Sequence, residues 1–141
     1  MRKQTELKTL YKKIYGSDDQ ASQCFDDLTI LMNKAKAQRK SELVQMDETQ
    51  AQWVFSQDMV GMTLYVDLFA QDLRHLIEKV SYFEDLGITY IHLMPLLKPR
   101  DGENDGGYAV ENYRQIDPRL GSLNDFIDVL DKFRHHGIRV C

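Results

Sequence analysis

Apolar positions fall at helical spacing through the first third of the chain and at strand spacing or in short runs thereafter. Leu7, Leu10, Tyr11 and Ile14 make one helical stripe, which stops at Gly16, and Ser17 and Asp18 are available to start the next helix. Phe25, Leu28, Leu31, Met32 and Ala35 make a second stripe. Leu43 and Met46 begin a weaker third that leads toward Trp53. The pattern then changes. Met59 to Phe69 is apolar and rich in β-formers, and it predicts a buried parallel strand, which has no need to alternate. Leu73, Leu76, Ile77, Val80, Phe83 and Leu86 predict one helix, with Asp72 as N-cap and Gly87 just past its end. Ile88 to Leu93 reads as the next strand, closed by Pro95. A loop is expected from Leu96 to Gly121. Ser122 and Asp125 then form a capping box with Asp in place of Glu. Leu123, Phe126, Ile127, Leu130 and Phe133 carry a further helix to Gly137, and Ile138 to Cys141 starts a third strand.

The alternation β-α-β-α-β calls for a parallel sheet with crossover helices. A division follows: residues 1–56 as a helical N-terminal domain, and residues 57–141 as the beginning of an α/β barrel.

Composition narrows the function classes. Of 141 residues, 43% are apolar and 28% charged, as in a globular protein rather than a disordered one. The net charge of −4 and the scattered Lys and Arg argue against nucleic acid. Cys24 and Cys141 lie far apart and without metal spacing, which fits a reducing compartment. The N-terminus lacks the apolar core of a signal peptide and no apolar run approaches a membrane span, so the expected compartment is the cytoplasm. No cofactor is implied.

The stretch between the second strand and its helix holds the chemistry. Loops of this length are uncommon unless functional. It contains Asp105-Gly106-Gly107-Tyr108, in which adjacent glycines let the backbone approach a ligand. In an α/β barrel this position lies on the ligand-binding face. Tyr108 offers an aromatic plate and Asp105 an acid, the two groups that grip a sugar ring. Without further context Tyr108 reads as a core tyrosine, and Asp105 reads equally as a turn residue capping its own loop. Asp101 and Glu103 read as solvated loop charges, and Asp117-Pro118 as a turn. Asp67 either supports the loops or bonds a backbone amide. His92 reads as a hydrogen-bonded core histidine. His135 and His136 suit the negative end of a helix, and adjacent positions do not share a helix face.

Three stretches carry a resemblance: Ile88 to Leu96, Asp105 to Val110, and Asp117-Pro118-Arg119-Leu120-Gly121. Together they resemble the α-amylase superfamily of glycoside hydrolases. Trp53 ahead of Met59-Val60-Gly61, Tyr65 to Ala70, and His92-Leu93-Met94-Pro95 resemble its amylosucrase branch, whose barrel follows an all-helical domain. The resemblance implies a (β/α)₈ TIM barrel, of which this chain holds the first two βα units and the start of the third strand. It implies a sucrose-active α-glucosyltransferase, with sucrose and α-glucan as partners and retaining chemistry. Tyr108 would then be the platform under the glucosyl ring and Asp105 the acid at the pocket floor, paired with an arginine beyond Cys141. The three catalytic acids lie on strands four, five and seven and are absent from this chain. A sucrose hydrolase or phosphorylase would share these motifs, and a non-catalytic carbohydrate-binding module is the remaining alternative. Two departures stand out: Gln71 where glycine is expected, and Ser81 where proline is common.

A barrel needs about 250 residues, and an open edge leaves backbone groups unpaired. The chain alone is therefore expected neither to turn over sucrose nor to fold stably. A cooperative thermal transition of the purified monomer, or glucose release from sucrose, would contradict this.

Overall fold

The computed structural model describes residues 2–141, in two units, Met1–Ala51 and Gln52–Cys141. The first is helical: α1 (Arg2–Tyr15), α2 (Asp19–Ala37) and α3 (Ser41–Thr49). Gly16, at φ +93°, ends α1. Asp18 caps α2, its carboxylate accepting from the Ala21 N–H at 2.7 Å. The first two stripes meet where Tyr11 lies edge-on to Phe25, with ring centroids 5.2 Å apart. Lys8 sits over the same ring and pairs with Asp26. Among the described residues of this unit only Ala21 and Phe25 are buried, and Leu10, Ile14 and Leu31 stay exposed.

The second unit opens with a 3₁₀ turn, Trp53–Phe55, and then forms a parallel sheet. Its strands are β1 (Gly61–Leu64), β2 (Tyr90–Leu93) and β5 (Arg139–Val140), with β2 central. Gly61 pairs with Tyr90, Leu64 with Leu93 and Tyr90 with Arg139. Helices α4 (Val66–Ala70), α5 (Leu73–Ile77), α6 (Val80–Asp85) and α7 (Leu123–His135) provide the crossovers. One core joins the sheet to them: Leu64, Leu73, Leu76, Phe83, Ile91 and Phe133 are buried, and the Phe83 and Phe133 rings meet edge to face. Among the described residues, no helix is long and apolar enough to cross a membrane.

Three expectations need correction. The first strand does not run from Met59 to Phe69. It ends at Leu64, and α4 follows, because Val66 and Ala70, four apart, both bury as one helical face. Hydrophobicity alone does not separate a buried strand from a buried helical turn. The helix predicted from Leu73 to Leu86 is two helices. Glu78 and Lys79 bond back three residues, to His75 and Leu76, and this tightening breaks the regular ladder. Ser81 stands in the first turn of α6, where proline would cost no hydrogen bond. The stretch from Leu96 to Gly121 is not structureless. It holds an antiparallel hairpin of β3 (Leu97–Pro99) and β4 (Val110–Ile116), with register shifts on either side of Lys98. Its glycine- and acid-rich tip concealed the strands that flank it.

The caps stand as expected. Asp72 accepts from the His75 N–H at 2.9 Å, Gly87 takes φ +69°, and Ser122 and Asp125 form the capping box of α7. Gln71 explains its own departure from the family pattern. It sits between α4 and α5 at φ 74°, ψ −51°, a rare and strained conformation for a residue with a Cβ. Gln71→Gly should relieve about 1 kcal/mol. In a marginal fold that is roughly a fivefold gain in folded over unfolded chain, to be read as slower amide exchange in the β1–β2 ladder.

Candidate functional site

Alternation along the strands separates two faces. Leu64, Ile91 and Leu93 bury against the helices, whereas Thr63, Tyr90 and His92 point to the other side of the sheet, which in a closed barrel is the interior. His92 is half-buried there, beside Thr63 in the register, and its side chain makes no hydrogen bond among the described residues. This corrects the expectation of a hydrogen-bonded core histidine. Continuing the alternation brings Met94 onto the same inner face. Its N–H still bonds to Leu64 at 2.8 Å, so the ladder reaches one residue past β2.

The hairpin tip folds back onto this end of β2. Asp105, Gly106 and Gly107 take φ of +51°, +66° and +95° in succession. Glycine adopts such values freely, and Asp is among the few other residues that tolerate them. Gly107 is also a packing requirement, since a Cβ there would lie 3.0 Å from the Pro95 ring. The turn is capped by Asn104, whose side-chain oxygen accepts from the Gly107 N–H at 3.0 Å while its amide group donates to the Arg100 and Gly102 carbonyls. The capping role considered for Asp105 thus falls to its neighbour. The Asp105 side chain is exposed and makes no hydrogen bond or ion pair among the described residues. Tyr108 is 56% exposed, so it is not a core tyrosine, and its hydroxyl donates to the Met94 sulfur at 3.7 Å. The Tyr65 hydroxyl approaches the turn from the end of β1, 3.7 Å from where a Cβ on Gly106 would stand. The loop therefore sits at the carboxyl ends of β1 and β2, with Asp105 and Tyr108 on one turn. Asn104 was not a candidate in the sequence, where an Asn before Asp-Gly was the one local signal, and Tyr65 and Met94 entered only through the resemblance, with no role at the turn.

The far end of the loop is held separately. The Asp117 N–H bonds to the Leu96 carbonyl at 2.8 Å. The Asp117 side chain is buried and accepts from the Arg119 guanidinium at 2.6 and 3.0 Å and from the Arg119 N–H at 2.9 Å. Burial is the largest single influence on this carboxyl and pushes its pKa up, but the Arg119 hydrogen bonds together hold it below the ordinary value. Asp117-Pro118 forms a turn, the Leu120 N–H returning to the Asp117 carbonyl. The Leu73 N–H bonds to the Leu120 carbonyl at 2.9 Å, so the loop is tied to the start of α5. Arg74 adds an ion pair to Asp125 at 2.7 Å.

Asp67 bonds the Leu68 N–H, and Asp101 and Glu103 are exposed. His135 lies 2.6 Å from the Asp131 carbonyl and His136 pairs with Glu84. No cluster of three His, Cys, Asp or Glu capable of holding a metal occurs among the described residues.

Residues 49–141, more than half of the chain, match the family described as "Alpha amylase, catalytic domain". The chain belongs to the alpha-amylase family. It is 41% identical over 69 residues to maltase 1 of Drosophila virilis, covering 49% of this chain and 11% of that protein. It is 39% identical over 70 residues to trehalose-6-phosphate hydrolase of Escherichia coli K12, covering 49% and 12%. The chain thus spans about a tenth of the length of these curated relatives. Among solved structures it superposes on trehalose-6-phosphate hydrolase of Bacillus licheniformis with a TM-score of 0.53 and 29% identity, covering 59% of this chain and 16% of that one. An isomaltulose synthase of Erwinia rhapontici NX5 in complex with sucrose superposes with a TM-score of 0.52 and 26% identity over the same shares. The α/β architecture is that of part of a TIM barrel.

The electrostatics of the α7 start have a measurable consequence. Hydrogen bonds from Ser122, then from Arg74, bring the Asp125 pKa down to about 2. That is below the unfolded value near 4. The stabilisation Asp125 supplies is therefore complete above about pH 4 and is lost as pH falls toward 2. Asp125→Asn should lower the urea midpoint at pH 6, and its gap from the native chain should close between pH 4 and pH 2. A gap that stays constant over that range would contradict the assignment.

Proposed function

We propose that this chain supplies the sugar-gripping turn of a retaining, sucrose-active α-glucosyltransferase of the amylosucrase kind. The observation that carries the reading is the pairing, on one turn at the strand ends, of an exposed tyrosine with an exposed carboxylate that has no partner among the described residues. A sugar ring presents an apolar C–H face and a rim of hydroxyls. Tyr108 offers a plate for the first and Asp105 an acceptor for the second. Asn104 and Pro95 fix the turn, so little ordering is needed when sugar binds. The resemblance of His92 to Pro95 and of Tyr65 to Ala70 to amylosucrase supports sucrose as glucosyl donor and α-glucan as acceptor. The sucrose complex of a structural neighbour points the same way. Residues 1–56 would be the helical domain ahead of the barrel.

In this chemistry a carboxylate attacks the anomeric carbon while a carboxyl gives its proton to the departing fructose oxygen. The glucosyl–enzyme ester then passes to a glucan hydroxyl, whose proton returns to the second acid. Those acids belong to later strands. Asp105 and Tyr108 bind and orient the ring. A second reading, hydrolysis of an α-glucoside, is favoured by the likeness to a maltase and to a trehalose-6-phosphate hydrolase.

In an enzyme carrying this segment, Asp105→Asn should lower kcat/KM for sucrose about ten- to a hundredfold, the scale of one charged hydrogen bond. The main product from sucrose should be insoluble α-glucan. A change within about twofold would remove Asp105 from the pocket, and free glucose alone would favour hydrolysis.

A further inference from the structure

The end of β2 does more than stop the strand. Met94 lies on the inner face, still in the ladder through its N–H, and its sulfur receives the Tyr108 hydroxyl at 3.7 Å. Beside it, Pro95 bears on Gly107, where no Cβ could fit without displacement. Two consecutive residues just past β2 thus touch Gly107 and Tyr108, two consecutive residues of the turn. The Pro95–Gly107 contact fixes where the turn stands. It leaves free the torsions that tilt the Tyr108 ring, which is more than half exposed and has no other side-chain hydrogen bond among the described residues. Among the described residues, the Met94 sulfur is the one side-chain hydrogen-bond partner the ring has. A thioether suits this task, being a weak acceptor with favourable contacts to aromatic rings.

We propose that Met94 is the positioning residue for Tyr108, setting the attitude at which the phenol ring meets a sugar. This rests on the reading of Tyr108 as a sugar platform. Met94 acts through the phenol and need not touch the sugar itself. Leucine at 94 would keep the volume and lose the acceptor. Phenylalanine at 108 would keep the plate and lose the donor. If each acts through the same bond, removing both costs no more than removing one.

The test is a double-mutant cycle in an enzyme carrying this segment, with sucrose as the probe, read by NMR. In the sugar-free protein, the Met94 methyl should show contacts to the Tyr108 ring protons, and these ring signals should shift in M94L. M94L and Y108F should each weaken sucrose binding about threefold, within the range of a sulfur–aromatic contact, and the double variant should bind no worse than the weaker single one. Additive losses, or unchanged affinity in M94L, would overturn the proposal. So would absent Met94–Tyr108 contacts, whatever sucrose does. Contacts that are present without any response to sucrose would sink the sugar-platform reading and, with it, the role given to Met94 toward sugar, while leaving the restraint on the ring established.

Discussion

The seat of Gly107 on Pro95 is the contact on which the site depends. Pro95 ends β2 because it has no N–H to continue the ladder. Its ring then presents a flat apolar surface at the carboxyl end of the sheet. The turn can lie on that surface only where it has no side chain, since a Cβ on Gly107 would stand 3.0 Å away. The left-handed backbone of Asp105, Gly106 and Gly107 follows from the same need, since the chain must reverse within three residues to bring Tyr108 over Met94. A strand terminator and a pair of glycines thereby become one device that holds an acid and an aromatic ring in the open.

The loop is anchored at both ends by different physics. At its tip the restraints are steric and neutral: Asn104 to the Gly107 amide, Gly107 on Pro95 and a phenol on a thioether. At its exit they are ionic and partly buried: Asp117 with Arg119, and Asp125 with Ser122 and Arg74. The Leu73–Leu120 backbone bond joins that exit to α5. The ionic anchors respond to pH and the steric ones do not. This suits a binding surface whose shape is kept while its supports tolerate exposure to water.

The opposite end of the sheet is closed as well. Trp53 packs tilted against the Tyr90 ring, centroids 5.8 Å apart, and receives the Arg139 guanidinium over its face at 4.4 Å. Tyr90 and Arg139 are paired in the register, and Gly61 on the neighbouring strand leaves room for the tyrosine ring. Tyr90, His92 and Met94 then rise along one face of the strand, from the aromatic plug to the Asp105–Tyr108 turn. The same strand organises both ends of the unit, with Ile91 and Leu93 toward the helices and Tyr90, His92 and Met94 on the other face.

Much of this was legible in the residues. Asp18, Asp72, Gly87 and the Ser122–Asp125 box mark helix ends through local chemistry, and local chemistry survives folding intact. The β-α-β-α-β order followed from spacing, and the diglycine turn from composition. The end of β1 at Leu64 was not legible, because Val66 and Ala70 choose helix only once a helix layer is there to bury them. Nor was the β3–β4 hairpin, whose pairs form across a tip of turn-forming residues. The strain at Gln71 shows only in the backbone, where φ is positive. The sequence by itself determined that an acid and an aromatic residue share the diglycine turn and where helices begin. Tertiary structure alone decided that Asn104 caps the turn, leaving Asp105 unpaired, and that Met94 lies under Tyr108. Those outcomes depend on contacts between segments ten or more residues apart and on competition between neighbours for one amide, and neither is written in local pattern.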